Sequence, residues 1–191
     1  YSRAPEHPRC QPHSLHSSKG KHLEPVIWIV ACNGALIRPD VFRAMILMSA
    51  PFAGPPTLGP APLDTIHTEM KALDRPRKHY QWYYSTRAAN KNMHTCPQGV
   101  HNFLRAYFHH KSADWEGNKP FPLAGWAATE LANMPTYYIM DLYRGMAETV
   151  AEEMPSATHI ANNTWLPESE LLIYSIEYER TGFQGALNWY R

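Results

Sequence analysis

VIWIVACNGALIRPDVFRAMILMSA, Val26 to Ala50, is the stretch on which the fold class turns. Val26 to Ala31 and Ala44 to Ala50 are short runs, apolar nearly throughout, of the length of buried strands in a parallel sheet. Only the twelve residues CNGALIRPDVFR separate them. A right-handed parallel crossover needs about that many at the least, so the connection is tight. The runs therefore predict one or two strands of an α/β core.

On the C-terminal side comes PFAGPPTLGPAP (Pro51 to Pro62), with five Pro in twelve residues. Proline removes a donor and fixes φ, which excludes a helix or a central strand and predicts a stiff hinge. Beyond it the pattern is helical. Ile66, Met70 and Leu73 share a face. Val100, Phe103, Leu104, Tyr107 and Phe108 follow the spacing of an amphipathic helix. Trp126 to Asn133 reads as a short helix. Tyr138, Leu142, Met146 and Val150 repeat every four residues and predict a longer one that stops before Pro155. Leu171, Tyr174, Ser175 and Tyr178 form the last stripe, opened by Pro167 and Glu168 and closed by Gly182. On the N-terminal side, residues 1 to 25 hold four Pro and four His with few large apolar side chains. They read as disordered or foreign to the fold.

Composition narrows the function. A net charge of +1 gives no reason to expect nucleic acid or an anionic membrane as partner. No apolar run approaches the ~20 residues of a membrane span, and the N-terminal segment has no signal-peptide core. Cys10, Cys32 and Cys96 are isolated, which points to neither zinc nor a disulfide framework and fits a reducing, cytoplasmic compartment. His13 and His16 lack a third ligand. No cofactor or metal is expected. The chain begins with Tyr1, so a fragment, a processed product or an incomplete gene model is expected.

Three segments resemble the epoxide hydrolase branch of the α/β-hydrolases. RPDVFRAMILMSAPFAGPP (Arg38 to Pro56) is similar to the strand leading into that family's helical cap. HYQWYY (His79 to Tyr84) is similar to the Y-Q-x-Y segment that begins the cap wall of the active site. GFQGALNWYR (Gly182 to Arg191) resembles the cap exit, G-F-x-G-x-L-N-W-Y-R. The resemblance covers roughly residues 35 to 191. It implies a partial α/β-hydrolase fold: residues 26–56 a core remnant, 57–185 the cap, 186–191 the exit.

The resemblance also implies a chemistry. In the family an Asp attacks an epoxide carbon to give an ester, and a His oriented by an acid activates water to cleave it. Two cap tyrosines donate hydrogen bonds to the epoxide oxygen as it becomes an alkoxide. A phenol stays protonated at neutral pH because its pKa is about 10. By motif position these tyrosines are Tyr80 and Tyr190, with Tyr83 and Tyr84 as competitors for Tyr80. The implied substrate is a small apolar epoxide.

The chain also departs from the family. No glycine has another four residues on, so no G-x-D-x-G or G-x-S-x-G elbow exists. The H-G-x-P loop is missing, as are the strands carrying acid and His. Cys32, after the first apolar run, is the one substitute nucleophile. His109 and His110 are expected at the surface or satisfied, and Asn162-Asn163-Thr164 fits a glycosylation sequon. The alternatives are a haloalkane dehalogenase-like hydrolase, which holds halide with other donors, and a non-catalytic lid that binds a small apolar ligand.

Overall fold

The structure is a computed structural model that describes residues 26–46 and 65–190. The chain divides into two units, Tyr1–Pro56 and Thr57–Arg191. The expected hinge at Pro51–Pro62 and most of the run Ala44–Ala50 lie outside the described residues.

In the first unit Val26–Ile37 is a helix, α1. This corrects the strand expected over Val26 to Ala31. An unbroken apolar run has no period to distinguish a strand from a buried helix. Because α1 continues through Cys32, Asn33 and Gly34, the tight crossover does not arise. The carbonyl of Gly34 accepts from Arg38 N–H at 2.9 Å, and Arg38 pairs with Asp40. Ala44 to Ile46 carry no regular structure.

The second unit is mostly helical around a two-stranded ribbon. In chain order it comprises α2 (Thr65–Lys71), β1 (Arg77–His79), α3 (Tyr80–Ser85), α4 (Ala88–His94), α5 (Gly99–His110) and α6 (Ala128–Leu131). Then come β2 (Ile139–Asp141), α7 (Met146–Ala151), α8 (Ala157–Ala161), α9 (Glu168–Thr181), α10 (Gln184–Leu187) and a 3₁₀ turn, Asn188–Tyr190.

The stripe on α5 is as expected. Val100, Phe103 and Leu104 are buried, and the helix packs on α7 and α9. Leu171 and Ser175 are the buried pair of α9. Met70 joins Ala128, Leu131 and Ile139 in a smaller cluster, with Ile66 and Leu73 against it.

The helix expected through Tyr138, Leu142, Met146 and Val150 is instead a strand, a turn and a helix. β2 pairs antiparallel with β1, Arg77 opposite Asp141 and His79 opposite Ile139. Charge holds this register: Arg75 Nε and Nη2 reach the two carboxylate oxygens of Asp141 at 2.7 and 2.8 Å. Arg77 Nη1 donates to the carbonyl of Ile139 at 3.0 Å. Gly145 then starts α7 in contact with Asn92; a Cβ there would lie 2.2 Å from Asn92 Oδ1. A repeat of four carries no information about a chain reversal between its members.

Candidate functional site

The β1–β2 ribbon aims the first candidate tyrosine. Tyr80 N–H donates to the carbonyl of Tyr138 at 2.8 Å, which extends the ladder by one bond into α3. His79 caps α3, its Nδ1 accepting from Gln81 N–H at 3.3 Å. Tyr80 and Tyr84 then fall on one face of the helix, four residues apart. Their rings meet edge to face with centroids 5.5 Å apart.

Tyr83 goes the other way. Its hydroxyl donates to Asn92 Oδ1 at 2.6 Å, and burial pushes its pKa up to about 12. Among the competitors for Tyr80, then, Tyr83 packs its ring 5.7 Å from Tyr84 but spends its hydroxyl on α4, whereas Tyr84 also meets Tyr80 and Tyr190.

The cap exit delivers Tyr190. Gly182 ends α9 at φ +65°, a conformation a side chain would strain. Asn90 Oδ1 accepts from Phe183 N–H at 2.8 Å, tying the exit to α4. Phe183 stacks on Tyr178 with centroids 4.5 Å apart and meets Phe103 edge to face at 5.5 Å. Leu187 is buried one turn later. These anchors bring the 3₁₀ turn against α3. The Tyr190 ring lies 5.2 Å from Tyr84 and 6.2 Å from Tyr80.

The cluster extends to residues the sequence did not single out for function. Tyr84 Oη donates to Tyr107 Oη at 3.3 Å, and Lys111 Nζ donates to the same oxygen at 3.0 Å. The ammonium also sits over the rings of Tyr107, Tyr137 and Tyr138, 4.8, 5.4 and 5.6 Å from their centroids. Tyr138 returns to Tyr80 at 5.6 Å and closes a loop of contacts. Tyr80 and Tyr84 are buried, whereas Tyr107, Lys111, Tyr138 and Tyr190 are partly exposed. Burial pushes Tyr137 up to about 12, against the pull of Lys111. Such a cluster can donate phenolic hydrogen bonds to an oxyanion, with a cation at its edge. The spacings Tyr80/Tyr84 and Tyr107/Lys111 were the available signal.

Other candidates fare differently. Cys32 is 1% exposed within α1, which removes it from reach as a nucleophile. Ser175, His101 and Glu168 line up as a serine–histidine–acid series, with His101 Nδ1 2.9 Å from Ser175 Oγ and Nε2 2.8 Å from Glu168 Oε2. But Ser175 is 1% exposed and its hydroxyl donates to the carbonyl of Leu171 at 2.9 Å. Its proton holds a helix turn and is not available to a base. Burial opposes the charge on Glu168, yet hydrogen bonds from His101 and Arg105 hold its carboxyl below the usual range.

His110 corrects the expectation of a surface or satisfied residue: it is fully buried, with neither ring nitrogen hydrogen-bonded. It meets Trp115 and Tyr137 edge to face at 4.4 and 4.9 Å, and burial lowers its pKa to about 4.

Among the described residues no three His, Cys, Asp or Glu are grouped to hold a metal, and no helix is long and apolar enough to cross a membrane. No family model matches this chain, and no curated protein or solved structure shows significant similarity to it.

Proposed function

We propose that this chain supplies the helical cap of a hydrolase of the epoxide hydrolase type, and that Tyr190, with Tyr80 or Tyr84, donates to the oxygen of a small apolar epoxide. The observation that carries the reading is the convergence of Tyr80, Tyr84 and Tyr190, whose rings come from the two ends of the unit to within 5.2–6.2 Å. Packing needs apolar surface at such a point; three phenols bring hydroxyls as well. The two segments that meet here are the same two that resemble the family's cap. Lys111, hydrogen-bonded to Tyr107 and so linked to Tyr84, favours negative charge developing nearby.

Ester formation needs a carboxylate on an elbow, and ester cleavage needs a His and an acid. The sequence offers none of these at family positions, so the chain alone binds an epoxide without turning it over. The test has two arms. Styrene oxide is titrated into the protein while the tyrosine ring signals are followed by NMR, with ethylbenzene as a ligand of similar shape without the oxygen. Styrene oxide should bind more tightly by roughly 2–12-fold, the worth of one hydrogen bond. Tyr190→Phe should erase that preference. Equal binding of the two ligands defeats the reading. In the second arm diol formation should stay at the buffer blank, and turnover abolished by Cys32→Ala would restore the cysteine.

A further inference from the structure

The C-terminal end of α5, the loop after it, α8 and the turn after α8 enclose a cleft of about 320 Å³, lined by Arg105, His109, Asp114, His159, Asn162 and Asn163 among others. It shares α5 with Tyr107 and with Lys111, the C-cap of that helix, but none of the tyrosines of the cluster lines it. We propose that this cleft binds a tetrahedral oxyanion, the phosphate group of a small phosphorylated molecule.

The donors come from three elements. His109 stands on α5 and His159 on α8, their rings 30° from parallel with centroids 6.2 Å apart. Neither imidazole makes a hydrogen bond among the described residues, so their ring nitrogens are open to a ligand. Asn163 Oδ1 already accepts from Leu166 N–H at 2.8 Å. The Asn163 amide NH₂ is therefore left as the donor half of that side chain.

Arg105 brings a guanidinium to the wall of the cleft, its charge met by Glu168. It is 3% exposed, with its Nη atoms on the Leu166 carbonyl at 2.9 Å and on Glu168 at 2.5 Å, and its Nε without a partner. Asp114 lines the cleft and keeps its charge, and its side chain is held by Trp165 Nε1, as Glu153 is by Trp115 Nε1, each at 2.7 Å. Donors spread over three elements suit a tetrahedral group better than a planar carboxylate, and oxyanions take charge-assisted bonds from His and Arg.

Affinity should follow the histidines. The charged and titratable groups around His109 are His159, Asp114, Glu153 and Arg105. Burial first, then His159, pulls the His109 pKa below its ordinary value, with Asp114 and Glu153 opposing. The His109 imidazole therefore gains its charge only as pH falls below the ordinary histidine range, and a bound dianion favours that charge.

The experiment is an NMR titration of the full chain, following the imidazole signals assigned through His109→Gln and His159→Gln. Sulfate, phosphate and acetate are added against sodium chloride of equal ionic strength, at pH 5.5 and 7.5. Sulfate keeps its charge over this range, so its pH dependence reports the protein. Saturable binding of sulfate and phosphate, roughly ten-fold tighter for sulfate at the lower pH, is expected, a factor worth about 1.4 kcal/mol. His159 is exposed, so His159→Gln should keep the fold, checked by its melt, and weaken sulfate at least several-fold. Asp114→Asn should tighten it. Shifts that chloride reproduces, or an affinity unchanged in His159→Gln, overturn the site. Acetate binding as tightly as phosphate overturns the tetrahedral assignment.

Discussion

The ring of Tyr84 lies 5.2 Å from that of Tyr190, closer than Tyr80 does at 6.2 Å, although Tyr80 is the residue that motif position selects. Tyr84 is also the one whose hydroxyl is hydrogen-bonded toward Lys111, through Tyr107. The two phenols on one face of α3 therefore differ in what they can offer. Tyr84 brings a hydroxyl coupled to a cation; its one proton must turn from Tyr107 Oη, at a long 3.3 Å, to reach a ligand. Tyr80 brings a hydroxyl that accepts from Gln81 Nε2 at 3.4 Å.

Packing and hydrogen bonding at Tyr190 separate by substitution. Tyr190→Ala removes a ring that closes the cluster over Tyr80 and Tyr84, and should cost about 1–3 kcal/mol, less than a fully buried aromatic. Tyr190→Phe keeps the ring and should cost no more than about 1 kcal/mol. Urea denaturation of the two variants checks this. Equal losses would mean that the ring contributes nothing and that the exit is held by Phe183 and Leu187 alone.

The helical pattern after residue 65 was legible in part in the sequence, for reasons that differ by element. α5 and α9 were readable because the stripes over residues 100–108 and 171–178 recur at helical spacing over about two turns. Pro167 was readable as a start because its ring fixes φ, and Gly182 as a stop because a residue without a side chain takes φ +65° without strain. α1 was misread because a uniformly apolar run has no period. The helix expected from Tyr138 to Val150 failed because a short ribbon paired through Asp141 and the Arg75 and Arg77 guanidinium groups leaves no local signature. In the site, Tyr80 and Tyr190 came only from resemblance. The Tyr107/Lys111 pair is a local spacing of four, but its link to the site was hidden because the bond from Tyr84 on α3 to Tyr107 on α5 is a tertiary fact.

Lys111 should matter to stability through the faces it covers. Lys111→Met keeps the aliphatic stem and removes the ammonium from three phenol rings and from Tyr107 Oη. A loss of about 1–2 kcal/mol is expected from cation–π contact in a partly desolvated place. Lys111→Arg should recover part of it. A melting temperature unchanged in Lys111→Met would show that the ammonium only borders the cluster.

His110 predicts a pH dependence with a definite sign. Its pKa is about 4 in the folded chain against an ordinary value of 6.5, so the unfolded state binds the proton more tightly. The native state is then fully favoured above about pH 6.5 and loses stability as pH falls toward 4, by roughly 3 kcal/mol in all. Carboxylates held below their ordinary values, such as Glu168, lose their contribution only below about 4.5. Between pH 6.5 and 4.5 the slope therefore belongs mainly to His110, whose shift is large, with a contribution of the same sign from His109, which burial also lowers. His110→Leu should flatten it, and because neither ring nitrogen has a partner the change should be near neutral or stabilising at pH 7.5. Urea midpoints at pH 7.5, 5.5 and 4.5 decide. Parallel slopes in the two proteins would remove His110 as the cause.

Gly145 and Asn92 make the sharpest packing prediction. Asn92 Oδ1 accepts from Tyr83 Oη at 2.6 Å and from Ala147 N–H at 3.1 Å, and its Nδ2 donates to both oxygens of Glu148 at 2.9 Å. The side chain thus joins α3, α4 and α7, and it fits only because residue 145 has no Cβ. Alanine there puts a methyl group 2.2 Å from Oδ1 and 2.4 Å from Cγ. A free side chain would swing aside, but this one would lose four hydrogen bonds in doing so. Gly145→Ala should therefore cost about 1–3 kcal/mol, as overpacking does, although alanine is the better helix former at most sites. Asn92→Ala should also destabilise by about 1–3 kcal/mol, because Tyr83 is buried and loses its acceptor. The two losses should not add: with Asn92 truncated, the methyl group at 145 has room, and the double variant should match Asn92→Ala within about 0.5 kcal/mol. A double-mutant cycle by urea denaturation reads this directly. Strict additivity would mean that Gly145 is needed for its backbone and not for the space above it.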